Sequence, residues 1–282
     1  MMRSMYAAIS GLKVHQTMLD VTSNDIANVN TLGYKSQRTT FKESLSQLQR
    51  GAAAPNAAQG GSNAIQVGLG VQLGSIDNNM QTGALQTTGN PLDVALQSDG
   101  SWFRVGTANP AAGAGSIANV QYTRAGNFTR NEQGYLITQD GQYVLGRSAA
   151  GAGAGGADQL IQIPSGSTNV SIAQDGSVSY DPANGGARVT AGYLSLASFA
   201  NEAGLQRVSS NRWSASSSSG AESVGTPGGN FSLVAGGQTE MSNVDLAQEF
   251  TNMISAQRGF QANSRVISTA DQMLQDLVNL NR

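Results

Sequence analysis

The two ends of the chain share an apolar seven-residue period, and this period limits the possible folds more than any other feature. The seam residues are Met5, Leu12, Leu19 and Ile26 near the N-terminus, with Ile9 on the neighbouring position, and Leu246, Met253, Phe260, Ile267 and Leu274 near the C-terminus. This spacing places side chains on one face of a helix. The sequence therefore predicts two terminal helices, each with an apolar stripe that a lone helix cannot bury.

The simplest way to bury both stripes is for the terminal helices to pair with each other and with copies of themselves. Ser242 or Asn243 is the predicted N-cap of the tail helix, with Asp245 and Glu249 near the positive end of its dipole. At about 1.5 Å per residue, the tail helix extends on the order of 50 Å. Gly11, inside the first helix, permits close packing or a slight bend.

Asparagines cluster around the same helices. Asn24, Asn28 and Asn30 fall where the first helix ends, and Asn243 and Asn263 lie at or within the tail helix. One interpretation is capping and turn formation, which suits Asn28 and Asn30. The other is that buried amides fix register at helix contacts, which suits Asn24 and Asn263.

The middle of the chain has a different pattern. Residues 28–33 break the first helix, residues 34–50 are predicted to resume a short amphipathic helix through Phe41, Leu45 and Leu48, and 51–62 has the composition of a flexible connector. Short apolar runs separated by turn pairs then predict an antiparallel β domain, with surface loops at 110–115, 149–156 and 214–220. The predicted fold class is α+β. Its predicted domains are 1–33 with 242–282 as an inner coiled-coil layer, 34–64 as a connector and 65–241 as the β domain.

The composition argues against catalytic, metal-binding and nucleic-acid-binding sites. The chain has 282 residues, a formal net charge of -2, 12% charged residues, no cysteine and one histidine. Without cysteine, thiolate metal sites have no support. The single histidine, His15, lies on the first predicted helix, where a polar surface or interface residue is a better interpretation than a member of a Ser/His/Asp set. We therefore expect no cofactor, no metal and no enzymatic activity. The glycine run 68–74 has the spacing of a dinucleotide loop but lacks the required strand–helix context, so strand or hinge backbone is the better interpretation. No basic patch indicates nucleic acid.

Residues 1–19 lack the apolar run of a secretory signal, and no window approaches the roughly 18 apolar residues of a membrane span. We therefore expect no Sec-type signal peptide and no membrane insertion.

Three motifs resemble those of bacterial flagellar rod and hook proteins, and together they span essentially the whole chain. The first is LDVTSNDIANVNTLGYK at 19–35. The second is EMSNVDL at 240–246 with AQRGFQANS at 256–264 and DQML at 271–274, and the third is TGNPLDVAL at 88–96 with YTRAGNF at 122–128. The family usually shows glycine before two aromatics where this chain has Ser101, Trp102 and Phe103.

The resemblance implies a tubular axial polymer with the terminal helices on the inner wall and the β domain outside. Its implied partners are copies of itself, other axial proteins (rod, hook cap and hook–filament junction) and the flagellar type III export apparatus. The implied location is the hook and basal body, outside the cell. The residues assigned to subunit contacts are Met5, Ile9, Leu12, Leu19, Asn24, Ile26, Asn28, Asn30, Asn243, Leu246, Phe250, Met253, Phe260, Asn263, Ile267 and Leu274.

The tail is most similar to that of short hook proteins, so the favoured function is a hook subunit that forms a curved universal joint between rod and filament. The alternative is a distal rod subunit acting as a drive shaft, because distal rod proteins have nearly the same length and a similarly long segment at 45–74. Two weaker hypotheses are a secreted glycan-binding module and a wall-cutting hydrolase fused to a rod protein.

Overall fold

Helices α1 (Met2–Ala27) and α2 (Leu246–Leu280) confirm the two predicted terminal helices, and they pack against each other. The computed structural model describes residues 2–54, 60–108, 117–148 and 158–280. The chain divides into two compact units. The helical unit comprises 1–27, 37–78 and 245–282, and the β unit comprises 28–36 and 79–244.

The N-cap of α2 is Asp245, and the predicted caps Ser242 and Asn243 were wrong. The Asp245 carboxylate accepts the backbone N–H groups of Ala247 at 2.9 Å and Gln248 at 3.3 Å. These are donors that the first helical turn leaves without intrahelical partners. The Asn243 amide is engaged elsewhere, as described below.

Four strands complete the helical unit: β1 (Gln37–Glu43), β2 (Ser46–Arg50), β3 (Ile65–Gly68) and β4 (Val71–Asn78). β1 pairs with β4 and β2 with β3, both antiparallel. The predicted helix over 34–50 was therefore wrong. Thr39, Thr40 and Phe41 favour a pleated strand, and β4, some 30 residues away, supplies the hydrogen bonds that no local pattern reveals.

The segment predicted as connector thus contains β1 and β2. Within the segment predicted as flexible, Ala53 and Ser62 form an antiparallel bridge, and 55–59 lie outside the described residues. The glycine run 68–74 forms the end of β3, a turn and the start of β4. Gly70 has a φ of 121°, which favours glycine, and Ser10 Oγ of α1 accepts the Val71 N–H at 3.2 Å.

The β unit contains a 3-10 helix (Glu202–Gly204) and 17 strands among its described residues. The strands are β5 (Leu85–Thr87), β6 (Val94–Leu96), β7 (Trp102–Ala108), β8 (Ile117–Thr123), β9 (Thr129–Arg130), β10 (Leu136–Ile137), β11 (Tyr143–Arg147), β12 (Asp158–Leu160), β13 (Thr168–Ile172), β14 (Ser177–Asp181), β15 (Val189–Leu194), β16 (Leu196–Ser198), β17 (Gln206–Arg207), β18 (Arg212–Ser214), β19 (Ser223–Gly225), β20 (Val234–Gly236) and β21 (Gln238–Glu240).

Thirteen of these described strands form one antiparallel sheet along the path β13-β14-β15-β11-β7-β8-β18-β17 with side branches. β20 pairs with β6 and β21 with β5, again antiparallel. The predicted antiparallel β domain is therefore confirmed. The predicted loops at 110–115 and 149–156 lie outside the described residues.

Alternation along β7 separates two apolar clusters. Phe103 and Val105 point into the larger cluster with Phe128, while Trp102 points into a smaller one with Trp213. The strand forms although Ser101 stands where the family usually has glycine, and both following aromatic side chains, Trp102 and Phe103, are fully buried. Neither described helix is long and apolar enough to cross a membrane.

Candidate assembly site

Two glycine contacts fix the pairing of α1 and α2. The Asn263 amide lies against Gly11, where an added Cβ would come within 2.6 Å of Nδ2. The His15 ring lies against Gly259, where an added Cβ would come within 2.5 Å of Cε1. Moving four residues forward on α1, from Gly11 to His15, corresponds to moving four residues back on α2, from Asn263 to Gly259, so the two helices are antiparallel. In both contacts a polar side chain of one helix occupies the space beside a glycine of the other.

The buried centre of this helix pair consists mostly of small and polar residues. The buried residues are Ala8, Gly11, Val14, Thr22 and Asp25 of α1 and Ala256 and Ala270 of α2. Small residues let helix backbones approach closely. The predicted heptad residues flank this centre and are only partly covered: Met5, Leu12, Leu19, Ile26, Met253, Ile267 and Leu274 are half-buried.

The other predicted apolar contact residues are exposed within the chain, namely Ile9 (37%), Leu246 (39%), Phe250 (50%) and Phe260 (38%). Met2 and Tyr6 extend the exposed surface of α1, and Ile254 extends that of α2. Near the end of α2, Val266, Met273, Leu277 and Leu280 are exposed as well. Isolated exposed apolar residues are ordinary, but contiguous stripes of this kind mark interaction surfaces.

The five predicted asparagines lie in different environments. Asn263 is half-buried in the α1–α2 seam, whereas Asn24 is exposed on α1. Asn28 accepts the Thr31 hydroxyl at 3.1 Å, and the exposed Asn30 lies in the same turn. Turn formation therefore accounts for Asn28. A role for these residues in subunit register stays a prediction.

Asn243 holds two chain segments together inside the β unit. Its Oδ1 accepts the Ser36 N–H at 2.8 Å, and its Nδ2 donates to the carbonyl oxygens of Asn79 and Gln81 at 2.9 and 3.0 Å. Its own N–H donates to the Tyr34 carbonyl at 3.4 Å. The segment that follows α1 and the segment that precedes α2 are therefore fixed side by side.

A fully buried charge cluster reinforces this junction. Glu240 accepts Lys35 Nζ at 2.6 Å through Oε1 and lies 3.4 Å from Arg124 Nη1 through Oε2. Lys35 also donates to the Gln81 carbonyl at 2.7 Å, and Glu240 Oε1 accepts the Gly83 N–H at 3.0 Å. All three charged side chains are completely buried. Burial lowers the pKa of Lys35, and Glu240 opposes that shift.

The sequence patterns did not predict this buried charge cluster. Lys35, Arg124 and Glu240 each belong to one of the three family-like motifs. The motifs contain other charged residues as well, so the sequence alone does not single out these three.

Carboxylates gather where α2 begins. The α1–α2 register brings Asp25, which is fully buried and accepts the Gln37 N–H at 2.9 Å, level with Glu249. Burial raises the pKa of Glu249, and the negative charges of Asp25 and Asp245 raise it further. A hydrogen bond from Asn252 lowers the pKa but does not cancel the increase. The described residues contain no group of three or more His, Cys, Asp or Glu side chains arranged to hold a metal ion.

Comparisons with known proteins match the same regions. The C-terminal model of the flagellar basal body rod FlgEFG proteins covers 235–280, the flagellar hook protein FlgE/F/G D1 domain covers 102–180, and the flagella basal body rod protein model covers 5–35. These segments contain all of α2, most of α1 and much of the central sheet.

Full-length relatives agree with the models. The flagellar basal-body rod protein FlgG of Bacillus subtilis (strain 168) is 45% identical over 284 residues, covering 100% of both chains. FlgG of Agrobacterium fabrum is 37% identical, covering 96% of this chain and 97% of the relative. The flagellar hook protein FlgE of Borreliella burgdorferi is 27% identical over 440 aligned positions, covering 99% of this chain and 100% of the relative. These names favour the rod alternative over the preferred hook function. The chain belongs to the family of flagellar rod and hook proteins, as a short-form axial structural protein.

Proposed function

We propose that this chain is the distal rod subunit of the bacterial flagellar basal body and polymerises into a stiff tubular drive shaft. The observation that carries the proposal is the end-to-end match, at 45% identity, to a protein named as a basal-body rod protein. Alignment to the hook relative needs 440 positions against the 282 residues of this chain. A hook subunit, our preference from the sequence, therefore has less support.

The terminal helices are the proposed assembly element. Their exposed apolar stripes support this role, because Phe250, Ile254 and Leu246 recur every four residues on one face of α2 and are half exposed or nearly so. An isolated subunit leaves these side chains in water, whereas a helix from another copy covers them. We propose that the residues predicted from the sequence to contact neighbouring subunits do so in the polymer.

The remaining features of the proposal follow from family membership. The neighbours along the axis are other flagellar axial proteins, export uses the flagellar type III apparatus without a Sec signal, and the subunit has a structural role without catalysis.

The deciding experiment is electron microscopy of basal bodies from the parent bacterium after deletion of this chain. The proposal predicts truncated rods without hooks, and re-expression of the chain restores full-length rods. Complete rods that lack only the hook would instead assign the chain to the hook.

A further inference from the structure

The loop that joins β14 to β15 contains the one Asn-Gly pair in the sequence, Asn184 followed by Gly185. The loop spans 182–188 and lies beyond the last pair of the two strands, Tyr180 with Val189. Asparagine is a thermolabile residue, because its side-chain amide can react with the backbone nitrogen of the next residue. Glycine hinders that reaction least, since it has no Cβ.

The reaction is an intramolecular nucleophilic substitution. The Gly185 nitrogen loses its proton to a solvent base and bonds to Cγ of Asn184. The Cγ–Nδ2 bond breaks, the side-chain nitrogen takes a proton from solvent and leaves as ammonia, and a five-membered succinimide ring forms. Water then opens the ring at either of its two carbonyl carbons, which gives aspartate or isoaspartate. Water is the co-reactant, and no electrons are transferred.

The surroundings of the pair leave room for this ring. Asn184 and Gly185 are both exposed, and apart from the adjoining residues no atom lies within 4 Å of the position that a Cβ on Gly185 would occupy. The Asn184 side chain forms no hydrogen bond with any residue that the structure describes. The amide is therefore free to turn toward the nitrogen that attacks it.

One hydrogen bond restrains the attacking nitrogen. The Gly185 N–H donates to the Pro182 carbonyl at 3.2 Å, at the long end of the range for such a bond. The reaction requires this bond to open, and the net strength of a single backbone hydrogen bond slows it by no more than about tenfold. The folded loop therefore keeps much of the reactivity of the pair.

Other asparagines lack one or more of these features. Asn263 precedes the small residue Ser264, but it is half-buried within α2, where the helix fixes the backbone. Asn230 is exposed in the β unit, but the bulky Phe231 follows it. Asn90 precedes a proline, whose nitrogen has no proton to lose.

We propose that Asn184 is a site of spontaneous deamidation in the folded chain and reacts before the other asparagines. Each event replaces a neutral amide by a carboxylate, so it adds one negative charge to the β unit. No enzyme is required, so the extent of modification increases with the age of the chain. The inference is independent of the proposed function, since it depends on the loop alone.

Mass spectrometry of the purified full-length chain tests the proposal. The chain is incubated in buffer and digested at intervals, and fragment spectra assign each change to a residue. Asn184 should gain one mass unit before any other asparagine, and isoelectric focusing should show a matching acidic form. Both changes should be faster at mildly alkaline than at neutral pH, because the attacking nitrogen must lose its proton.

Two variants provide the controls. Asn184→Gln should remove the early acidic form, because the longer side chain has to close a six-membered ring. Asn230→Gln changes an exposed asparagine of the same unit and should leave the early acidic form in place. An early acidic form that persists in Asn184→Gln, or a first mass gain at another asparagine, would overturn the proposal.

Incubation of the chain in urea measures how far the fold protects the pair. The folded and the urea-unfolded chain should deamidate at 184 at rates within about tenfold of each other, since one hydrogen bond restrains the loop nitrogen. A reaction that occurs in urea but is undetectable in the folded chain would also overturn the proposal.

Discussion

The Asn263 side chain packs against Gly11, with Nδ2 2.6 Å from the position that a Cβ on Gly11 would occupy. The amide therefore occupies a space that exists only because residue 11 lacks a side chain. The His15 ring packs against Gly259 in the same way. The two contacts together specify one register of α1 against α2, although the heptad spacing alone would permit other registers.

Gly11→Ala should destabilise the helix pair, although alanine favours a helix by about 1 kcal/mol over glycine. The new methyl group displaces the Asn263 amide, and overpacking of this kind costs about 1–3 kcal/mol. The double variant Gly11→Ala with Asn263→Ala should recover the loss. The measurement is thermal unfolding followed by far-ultraviolet circular dichroism, and Gly51→Ala, in open space, is the control. Equal stability of Gly11→Ala and wild type would refute the interlock.

Glu240→Gln should lower the free energy of unfolding of the β unit by about 3–5 kcal/mol. Glu240 is the carboxylate that Lys35 and Arg124 share, and its loss leaves two buried cations without a counter-charge. Urea unfolding monitored by the fluorescence of Trp102 and Trp213 measures the effect. Glu132→Gln, on an exposed residue, should change it by less than about 0.5 kcal/mol. Comparable effects of the two substitutions would show that the buried cluster contributes little.

The helix pair should gain stability as acid protonates Glu249. Its pKa in the folded chain lies above the ordinary value of 4.5, so the folded state binds more protons between those two values. Stability from this group is therefore complete below pH 4.5 and is lost as pH rises through the raised pKa. Glu249→Gln should stabilise α1–α2 at neutral pH, and its advantage should disappear below pH 4.5. A constant difference across this range would exclude the carboxyl as the source.

Phe250→Ser with Ile254→Ser should abolish rod assembly without lowering the stability of the isolated chain. Both side chains are 50% exposed, so their removal costs little inside one subunit but deletes apolar contact between subunits. Rods counted by electron microscopy and unfolding of the isolated chain give the two measurements. Val208→Ser with Leu233→Ser changes similarly exposed residues of the β unit and should leave assembly normal. Loss of subunit stability in the α2 variant would mean that these side chains act within the chain.

Deleting 244–282 should give a soluble monomer that does not assemble, because the deletion removes α2 and the surface that pairs with α1. Sedimentation of the truncated chain beside the full chain is the measurement. Normal polymers from the truncated chain would show that the terminal helices are not the assembly element.

The sequence by itself determined the two terminal helices, their pairing and the antiparallel β middle. Heptad spacing and alternating strands are local patterns whose period equals that of the structure they form. Motif resemblance gave the family, while the choice between hook and rod depended on relatives that match over the whole length.

Only the tertiary structure decided the rest, because the deciding contacts join residues far apart in sequence. Pairing of β1 with β4 and of β2 with β3 replaces the helix predicted at 34–50, and Glu240 meets Lys35 and Arg124 across 205 and 116 residues of sequence. The helix seam also changed character. The heptad residues proved to be half-buried or exposed. The buried centre consists mostly of small and polar residues, with Gly11 facing Asn263 and Gly259 facing His15, because the distance between two helix backbones depends on which residues face each other.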